Sequence, residues 1–303
     1  MEFRIRENSL AKIIVSTKAR NTLFIAPAFV LYMCVVVLPA LSTFYFSLCH
    51  WNGLGNPVFI GLANFKNLIF TDRSFHRAFR NNLIWTGWSL TLPIFSSLIV
   101  ALVLTKIRTG QMVFRTINFL PYVVAAPIAG RIWTVLYNPY FGMTSFLEKM
   151  GISHFSDLAI LGNRSTALGA VFIANNWYWW GYLMVLFLAA LHQVDVDLYE
   201  AATVEGANFL QKFLHVTIPQ ISPTLTFIFM VTMIWSLLSF NYVWVMTQGG
   251  PGDTTQLLST YIYRLSFTNF RAGYAMSISV IQSLIALLLY FLFEVVKKKG
   301  FDV

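Results

Sequence analysis

Six long runs of apolar residues divide the sequence, and they limit its fold more than any other feature. Each run is long enough for a helix to cross the hydrocarbon core of a membrane, which takes about 20 residues. Charged residues make up only 11% of the chain, whereas a soluble domain carries roughly a quarter. A lone segment in lipid can satisfy its backbone polar groups only as a helix. We therefore predict an all-α membrane protein with six transmembrane helices. Their ranges are 23–48, 84–104, 117–137, 167–191, 225–246 and 274–296.

The lysines and arginines indicate how these helices are oriented, because cytoplasmic loops beside spans carry an excess of them. With the N-terminus inside, 12 basic residues are cytoplasmic, 8 are outside, and Arg131 lies within the third run. This excess predicts that both termini are cytoplasmic. It also accounts for the net charge of +9 without a nucleic-acid partner. The chain then has a cytoplasmic tail (1–22), a membrane domain (23–296) and a second cytoplasmic tail (297–303).

The longest cytoplasmic loop in this topology, residues 192–223, has the pattern of two short helices. Leu198 and small alanines among polar neighbours favour a short amphipathic helix. Gly206 can adopt left-handed backbone, and a second apolar stripe follows it at helical spacing. Pro219 and Pro223 are expected to end that stripe before the fifth span. Exposed apolar residues at such a turn are typical of a partner-binding surface, but a helix that merely connects two spans explains these features equally well.

The spacing inside this loop resembles a known pattern. Glu200-Ala201-Ala202 is followed after three residues by Gly206, and after nine more by Val216-x-Ile218-Pro219. This resembles the EAA loop of ABC importer permeases, which reads EAA, three residues, G, nine residues, I-x-L-P. Valine and isoleucine here replace isoleucine and leucine, which are conservative departures.

Three further stretches resemble the carbohydrate branch of that family, the maltose and glycerol-3-phosphate importer type. They read IGLANFKNLI, WYWWGYLMVLFLAALHQVDVDLYEAA and WVMTQGGPGDTTQLLSTYIYRLSFTNFRAGYAMSISV. The G-G-P-G turn after the fifth span is more similar to the first permease subunit of a pair than to the second. Together these stretches extend the resemblance over most of the chain.

The resemblance implies the ABC type I importer permease fold, in a bacterial or archaeal cytoplasmic membrane. It also implies a second homologous permease, two ATPase subunits that bind ATP and Mg, and an extracytoplasmic solute-binding protein that delivers a sugar. The 192–223 loop would couple this lipid-embedded chain to an ATPase subunit. The coupling residues that the resemblance implies are Glu200, Ala201, Ala202, Glu205, Gly206, Ala207, Asn208 and Pro219.

The sequence shows no pattern for chemistry of its own. The ATP-binding pattern G-x-x-x-x-G-K-[ST] does not occur, so the chain does not bind ATP through a P-loop. Its five histidines are scattered, with none four residues from another. We predict a transport subunit with no catalytic residues, no metal ligands and no cofactor.

Two stretches combine aromatic rings with amides or hydroxyls, the groups that contact sugars. One opens the fourth span and the other lies in the outer half of the fifth. A buried amide such as that of Asn241 is costly in lipid, so it is expected to face protein or water. For the tryptophans, an aromatic belt at the membrane interface is the alternative. The predicted substrate-pathway residues of these stretches are Asn175, Trp177, Tyr178, Ser239, Asn241 and Tyr242.

Arg131 is a charge inside a predicted span, and such charges are functional candidates by default. It lies about six residues from the outer end of the third run, so the alternative is an arginine that reaches the interface or pairs structurally. Guanidinium groups suit bidentate recognition of carboxylates and phosphates. If Arg131 lines the pathway, it points to an acidic sugar.

Two other classes of membrane protein compete with the importer subunit. A self-sufficient secondary transporter typically shows internal repeats and intramembrane acids for ion coupling. No repeat is evident, and the acid nearest a span is Glu294, at a cytoplasmic end. An assembly subunit with no transport role would not need the spacing of the 192–223 loop.

Overall fold

The structure is a computed structural model that describes residues 17–107, 109–150 and 159–300. Residues 1–16 and 301–303 of the two predicted tails, and Arg108 in a predicted cytoplasmic loop, lie outside the described residues. The described chain is mainly helical, with one antiparallel hairpin of Cys49–His50 (β1) and Val58–Phe59 (β2). Short π-helical segments occur at Met33–Val37, Phe213–Thr217 and Arg264–Thr268. The α-helices are α1 (Thr17–Tyr32), α2 (Leu38–Ser47), α3 (Ala63–Phe70), α4 (Arg73–Ser89), α5 (Leu92–Leu104), α6 (Gln111–Val123), α7 (Ala126–Leu136), α8 (Met143–Lys149), α9 (Ala167–Leu191), α10 (Val196–Val204), α11 (Phe209–Lys212), α12 (Ile218–Gln220), α13 (Ser222–Leu237), α14 (Asn241–Met246), α15 (Leu258–Tyr263) and α16 (Ala272–Gly300).

In the part of the chain that the structure describes, between four and six helical stretches could cross a membrane. Four pass on length and apolar character without a sharp bend, at Phe24–Ser47, Arg73–Leu104, Ser222–Met246 and Ala272–Val295. Two bent pairs qualify if each is one span, namely α6 with α7 and α9 with α10. Of the second pair, α9 alone covers the predicted fourth run. The chain is thus a multi-pass helical membrane protein.

The second span begins earlier than its apolar run predicts. It starts at Arg73 rather than near residue 84, because three arginines and two buried asparagines lower the local hydropathy. The Nδ2 of Asn81 donates to carbonyls of the loop after α14, including that of Gln256 at 3.0 Å. The Oδ1 of Asn82 accepts from the backbone nitrogen of Leu258 at 3.1 Å. The Nδ2 of Asn81 and the Oδ1 of Asn82 thus find partners inside the protein, and hydropathy alone does not reveal that the helix continues.

The third apolar run is not the single straight helix that its hydropathy predicts. Helices α6 and α7 meet at an angle of 97°. Val124 and Ala125 between them have extended backbone, with ψ of 132° and 131°. A continuous helix would place the ring of Pro127 against the carbonyl four residues earlier. The bend therefore follows from local sequence, although its angle depends on the neighbouring helices.

Helix α9 lies at the centre of the bundle and packs on both sides. One buried cluster joins it to α5 through residues such as Leu98, Leu183 and Phe187. Its other half joins α4 and α14 through Trp85 and Phe172. A Cβ on Gly181 would stand 2.1 Å from the carbonyl oxygen of Asn118, so α6 and α9 approach closely, as small residues allow in membrane bundles.

The connecting segments collect at the two ends of this bundle. At one end, the start of α4 contacts the segment after α14, where the hydroxyls of Tyr261 and Tyr274 both donate to Asp72. At the other end, the 192–221 segment packs beside the end of α5. The 25 residues of α9 separate the two ends by about 37 Å at 1.5 Å per residue.

Candidate functional site

A cavity of about 310 Å³ lies between α4, α9 and the fifth span. Its walls are mainly aromatic, with amides and hydroxyls placed between the rings. This composition is typical of small-molecule sites, which are largely apolar with a few orienting polar groups. The residues that line it include Trp85, Ser89, Ala126, Asn175, Tyr178, Trp179, Thr232, Trp235, Ser236, Ser239, Phe240, Asn241 and Tyr242.

The cavity forms where the fifth span is interrupted. Helix α13 ends at Leu237 and α14 begins at Asn241, with the non-helical Phe240 (φ −138°) before it. The indole nitrogen of Trp85 donates to the Ser239 hydroxyl at 2.9 Å, which holds the break against α4. Non-helical backbone at membrane depth is tolerated where it is enclosed by protein or lines a water-filled cavity. Interrupted helices also form the solute sites of many transporters.

Two hydroxyls at this cavity are buried without a hydrogen-bond partner in the described chain. They belong to Thr232, which is 1% exposed, and Tyr242, which is 4% exposed. Leaving a buried polar group unpaired costs about 1–3 kcal/mol. A solute or water in the cavity would supply the missing partners.

The predicted pathway residues fall into two groups. Five line the cavity together: Asn175, Tyr178, Ser239, Asn241 and Tyr242. Trp177 instead stacks edge-on against Trp133, with ring centroids 5.8 Å apart. Arg131 is exposed on α7 and does not line this cavity. The rotation of α7 and α9 about their axes separates these two residues from the other five.

Sequence reasoning did not identify the remaining polar residues of the wall. Thr232 and Ser236 are four residues apart, and the predicted Ser239 follows three residues later, which places all three on one face of the fifth span. The Ser236 hydroxyl donates to that of Thr86 at 3.0 Å, so this face is packed against α4. The spacing was visible in the sequence, but serine and threonine are tolerated in membrane helices and the pattern is weak alone.

The 192–221 segment forms the helix, turn and helix that its pattern predicts. Helix α10 ends in a Schellman motif: Gly206 N donates to Thr203 O at 3.0 Å and Ala207 N to Ala202 O at 2.9 Å. Gly206 has φ of +79°, the left-handed conformation that this motif requires and that glycine adopts without strain. The turn therefore depends on glycine at this position.

Side-chain contacts fix the second half of the segment. Asn208 and Gln211 form a reciprocal capping box at the start of α11, which satisfies two free N–H groups of the helix. The Tyr199 hydroxyl lies 2.8 Å from that of Thr217. The Lys106 ammonium lies 4.8 Å from the ring centre of Phe209. These contacts connect α10 and α11 to each other and to the end of α5.

The prolines of this segment correct one expectation. Pro219 and Pro223 do not stop a helix. Pro219 lies in helical backbone that runs on from the π-helical Phe213–Thr217, and Pro223 is placed at the start of α13. The first turn of a helix has N–H groups without partners, so proline's missing N–H costs nothing there. The chain thus continues in helical form from the loop into the fifth span.

The exposed surface of the 192–221 segment carries both apolar and acidic side chains. Val204 is 89% exposed and Phe209 63% exposed, while Glu200, Glu205 and most of the turn around Gly206 are also exposed. Exposed apolar residues on a connecting segment indicate a protein partner. The other predicted coupling residues lie on the same segment, with Ala201, Asn208 and Pro219 exposed and Ala202 and Ala207 half-buried.

At the opposite end of the bundle, Asp253 organises the segment after α14. Its carboxylate accepts from Arg264 Nη1 at 2.7 Å and from the Ser74 hydroxyl at 2.8 Å. Burial alone would raise the pKa of Asp253, but the hydrogen bonds from Arg264 and Ser74 and the charges of Arg264 and Arg77 outweigh it. The pKa of Asp253 therefore lies below its usual value, and the carboxylate is ionised at neutral pH.

Comparison with known proteins agrees with this architecture. Residues 89–299 match the family described as "Binding-protein-dependent transport system inner membrane component". The probable ABC transporter permease protein YurN of Bacillus subtilis is 32% identical over 88% of this chain and 92% of its own length. The probable starch degradation products transport system permease protein AmyD of Thermoanaerobacterium thermosulfurigenes is 31% identical over 87% and 88%.

A solved structure shares the fold. It is a crystal structure of a bacterial ABC transporter involved in the import of the acidic polysaccharide alginate. The likeness has a TM-score of 0.81 and 22% identity, over 97% of this chain and 99% of the other. From the family match over residues 89–299 and the two permease relatives, the chain belongs to the inner-membrane components of binding-protein-dependent transport systems, as a permease subunit of an ABC transporter.

Proposed function

We propose that this chain is one of two permease subunits that together form the pathway of a sugar or oligosaccharide importer. Relatives of 29% identity are named for the transport of arabinooligosaccharides in Bacillus subtilis and the uptake of diacetylchitobiose in Streptomyces coelicolor. The observation that carries the proposal is the cavity at the interrupted fifth span. Its aromatic faces suit the apolar side of a sugar ring, and its amides and unpaired hydroxyls suit the sugar hydroxyls.

In the proposed topology the chain crosses the membrane six times, with both termini in the cytoplasm. Helices α6 and α7 form one bent span, whereas α9 is a span and α10 is a cytoplasmic helix that follows it. The membrane domain then extends over 23–296, between cytoplasmic tails at 1–22 and 297–303. The excess of basic residues on the N-terminal side supports this orientation.

The proposed partners are a second permease, two ATPase subunits that bind ATP and Mg, and an extracytoplasmic binding protein. The first span supports the presence of further contacts, since no residue in its apolar 18-residue window is buried within the described chain. Lipid or a second permease would cover that surface. The G-G-P-G turn that precedes Asp253 favours the first permease subunit of the pair.

The segment that contains α10 and α11 is the proposed dock for an ATPase subunit. Val204 and the turn at Gly206 present the contact surface, and the Schellman motif and the capping box make it rigid. Movement of the ATPase subunits would then be transmitted as a rigid-body motion of α10 and the spans attached to it. The residues assigned to this coupling are Glu200, Ala201, Ala202, Glu205, Gly206, Ala207, Asn208 and Pro219.

The proposed solute contacts are Asn175, Tyr178, Ser239, Asn241 and Tyr242. Trp177 and Arg131 belong to the proposed pathway only if the second permease brings a solute to their faces of the bundle. An acidic sugar remains a proposal based on Arg131, because the likeness to the alginate importer, at 22% identity, shows the fold alone. Arg131→Met should reduce uptake of an acidic oligosaccharide but leave the assembly intact.

The test is to extract the chain from its membrane with a tag and to identify the proteins that accompany it. Membrane vesicles with the same chain are then assayed for uptake of labelled neutral oligosaccharides with and without ATP. Co-purification of a P-loop ATPase and a second permease, with uptake that needs ATP, is the expected result. A chain that purifies alone and moves solute without ATP would replace the proposal with a secondary transporter.

A further inference from the structure

A second and larger cavity lies at the end of the bundle opposite the 192–221 segment. Its volume is about 750 Å³. It is bounded by α4 from Arg77 to Trp88, by the segment before α9 with the first turns of α9, and by the loop after α14. Its chemically distinctive lining residues are Arg77, Arg80, Trp88, Tyr137, Arg164 and Thr254.

This cavity carries positive charge that the described chain does not neutralise. Among the residues that the structure describes, three arginines line it and no aspartate or glutamate does. Arg77 donates to the carbonyl oxygen of Gly252 at 2.7 Å, whereas Arg80 and Arg164 have no hydrogen bond or ion pair with any residue that the structure describes. The nearby Asp253 is already paired with Arg264.

The remaining wall of the cavity is apolar and partly aromatic. Trp88 and Tyr137 contribute ring surfaces, and the Tyr137 hydroxyl is satisfied by the carbonyl of Ala170 at 3.2 Å. A carboxylate on a docking protein is the alternative ligand, but it would need only the arginines and not the aromatic rings. Flat rings beside guanidinium groups, in a concave site of this volume, suit a small molecule that has both apolar faces and negative charge.

A cluster of three aromatic side chains lies between this cavity and the one at the interrupted fifth span. Phe172 is 2% exposed and lies between two tryptophans, with ring centroids 5.1 Å from Trp85 and 5.3 Å from Trp88. Trp85 lines the inner cavity and Trp88 the outer one. Phe172 therefore packs against one wall residue of each cavity.

We propose that the outer cavity is a binding subsite for a sugar unit that carries a carboxylate, such as a uronate. The inference rests on the proposed function, which places this end of the bundle outside the cytoplasm on the path of the solute. Arg80 and Arg164 bind the carboxylate, since guanidinium groups match its geometry in two hydrogen bonds. Trp88 and Tyr137 contact the apolar side of the ring.

The test uses the assembled permease and ATPase complex in nanodiscs and two probes of equal length. One probe is trigalacturonate, and the other is the same trisaccharide with its carboxyl groups reduced to alcohols. The test variant is Arg80→Gln with Arg164→Gln, because neither side chain bonds to another described residue. The matched control is Arg73→Gln, which removes an exposed arginine from the same end of α4 but outside the cavity.

The expected result is that the complex binds trigalacturonate about tenfold more tightly than its reduced counterpart, and that the double variant loses this difference. The control variant should keep the difference, and binding of the reduced probe should not change in any variant. The preference should also weaken with salt, as binding of exposed charges does.

Two results would overturn the inference. One is equal binding of the two probes by the unaltered complex. The other is a double variant that keeps the preference but captures the binding protein less well, which would assign the arginines to protein docking. Neither result affects co-purification of the ATPase or ATP-dependent uptake of neutral sugars, and these two measurements test the proposed function separately.

Discussion

Replacing Gly206 with proline tests whether the turn between α10 and α11 couples the chain to an ATPase subunit. Proline requires φ near −65°, whereas Gly206 has φ of +79°. It also removes the N–H that donates to Thr203 O at 3.0 Å. The lost hydrogen bond costs about 1 kcal/mol, and left-handed backbone costs a residue other than glycine about 1–2 kcal/mol. The proline ring cannot reach positive φ at all, so these two costs together, roughly 2–3 kcal/mol or about 30- to 160-fold, are the least by which the native turn is disfavoured.

A series of variants separates this effect from general damage. Gly206→Ala keeps the N–H, and its methyl group would meet nothing within 4 Å, so only the conformational cost of about 1 kcal/mol remains. Gly55→Pro is the matched control, because Gly55 has φ of +73° in open space in the hairpin at the other end of the bundle.

The measurement is the ratio of ATPase subunit to tagged permease after extraction, together with ATP-dependent uptake in vesicles. Gly206→Pro should lose most of both while the chain still inserts, Gly206→Ala should lose about fivefold, and Gly55→Pro should keep both. Normal ATPase recovery and normal uptake in Gly206→Pro would refute the coupling role of the turn. Equal losses in Gly55→Pro would trace the effect to folding instead.

Three further predictions follow from single contacts. Tyr242→Phe removes a buried hydroxyl without a partner in the described chain. The melting temperature should therefore not fall, whereas the KM for uptake should rise about five- to tenfold. A lower melting temperature with unchanged KM would contradict a solute contact. Gly181→Ala would place a methyl group 2.1 Å from the carbonyl oxygen of Asn118 and should destabilise the α6–α9 contact by about 1–3 kcal/mol. The measurement is thermal aggregation in detergent, which should begin at a lower temperature. Unchanged aggregation would show that the helices can separate freely. The depressed pKa of Asp253 means that its contribution to stability is complete above the ordinary value of 3.8 and is lost as pH falls below it. Limited proteolysis should therefore find the loop after α14 resistant at pH 5–7 and open only below about pH 4. Asp253→Asn should open it already at pH 7; a loop equally resistant in this variant would contradict the role of the carboxylate.

The sequence predicted the local features of both functional regions better than their surroundings. The spacing around Gly206 anticipated the left-handed turn, because a Schellman motif is made by residues close together in the chain. The amides and hydroxyls of Asn175, Ser239, Asn241 and Tyr242 were predicted as one group, and the structure brings them to one cavity. The roles of these residues in transport remain proposals that the experiments above would test.

The sequence did not reveal where Trp177 and Arg131 face. Hydropathy is averaged over whole turns of a helix, so it is insensitive to the rotation of α7 and α9 about their axes. The early start of α4 was also missed, because Asn81 and Asn82 find their partners in a segment more than 170 positions later in the chain. Hydrogen bonds at such separation leave no local pattern.

The amino-acid sequence alone determined that the chain is a helical membrane protein, how many apolar runs it has, and where its 192–223 loop has a spacing that resembles a coupling segment. These follow from the cost of unpaired backbone groups in lipid and from contacts within a few residues. The tertiary structure decided which side chains meet at the interrupted fifth span and which arginines surround the outer cavity. The physical reason is that these sites are formed by segments far apart in the chain, and only the packing of the helices against one another sets their rotation and spacing.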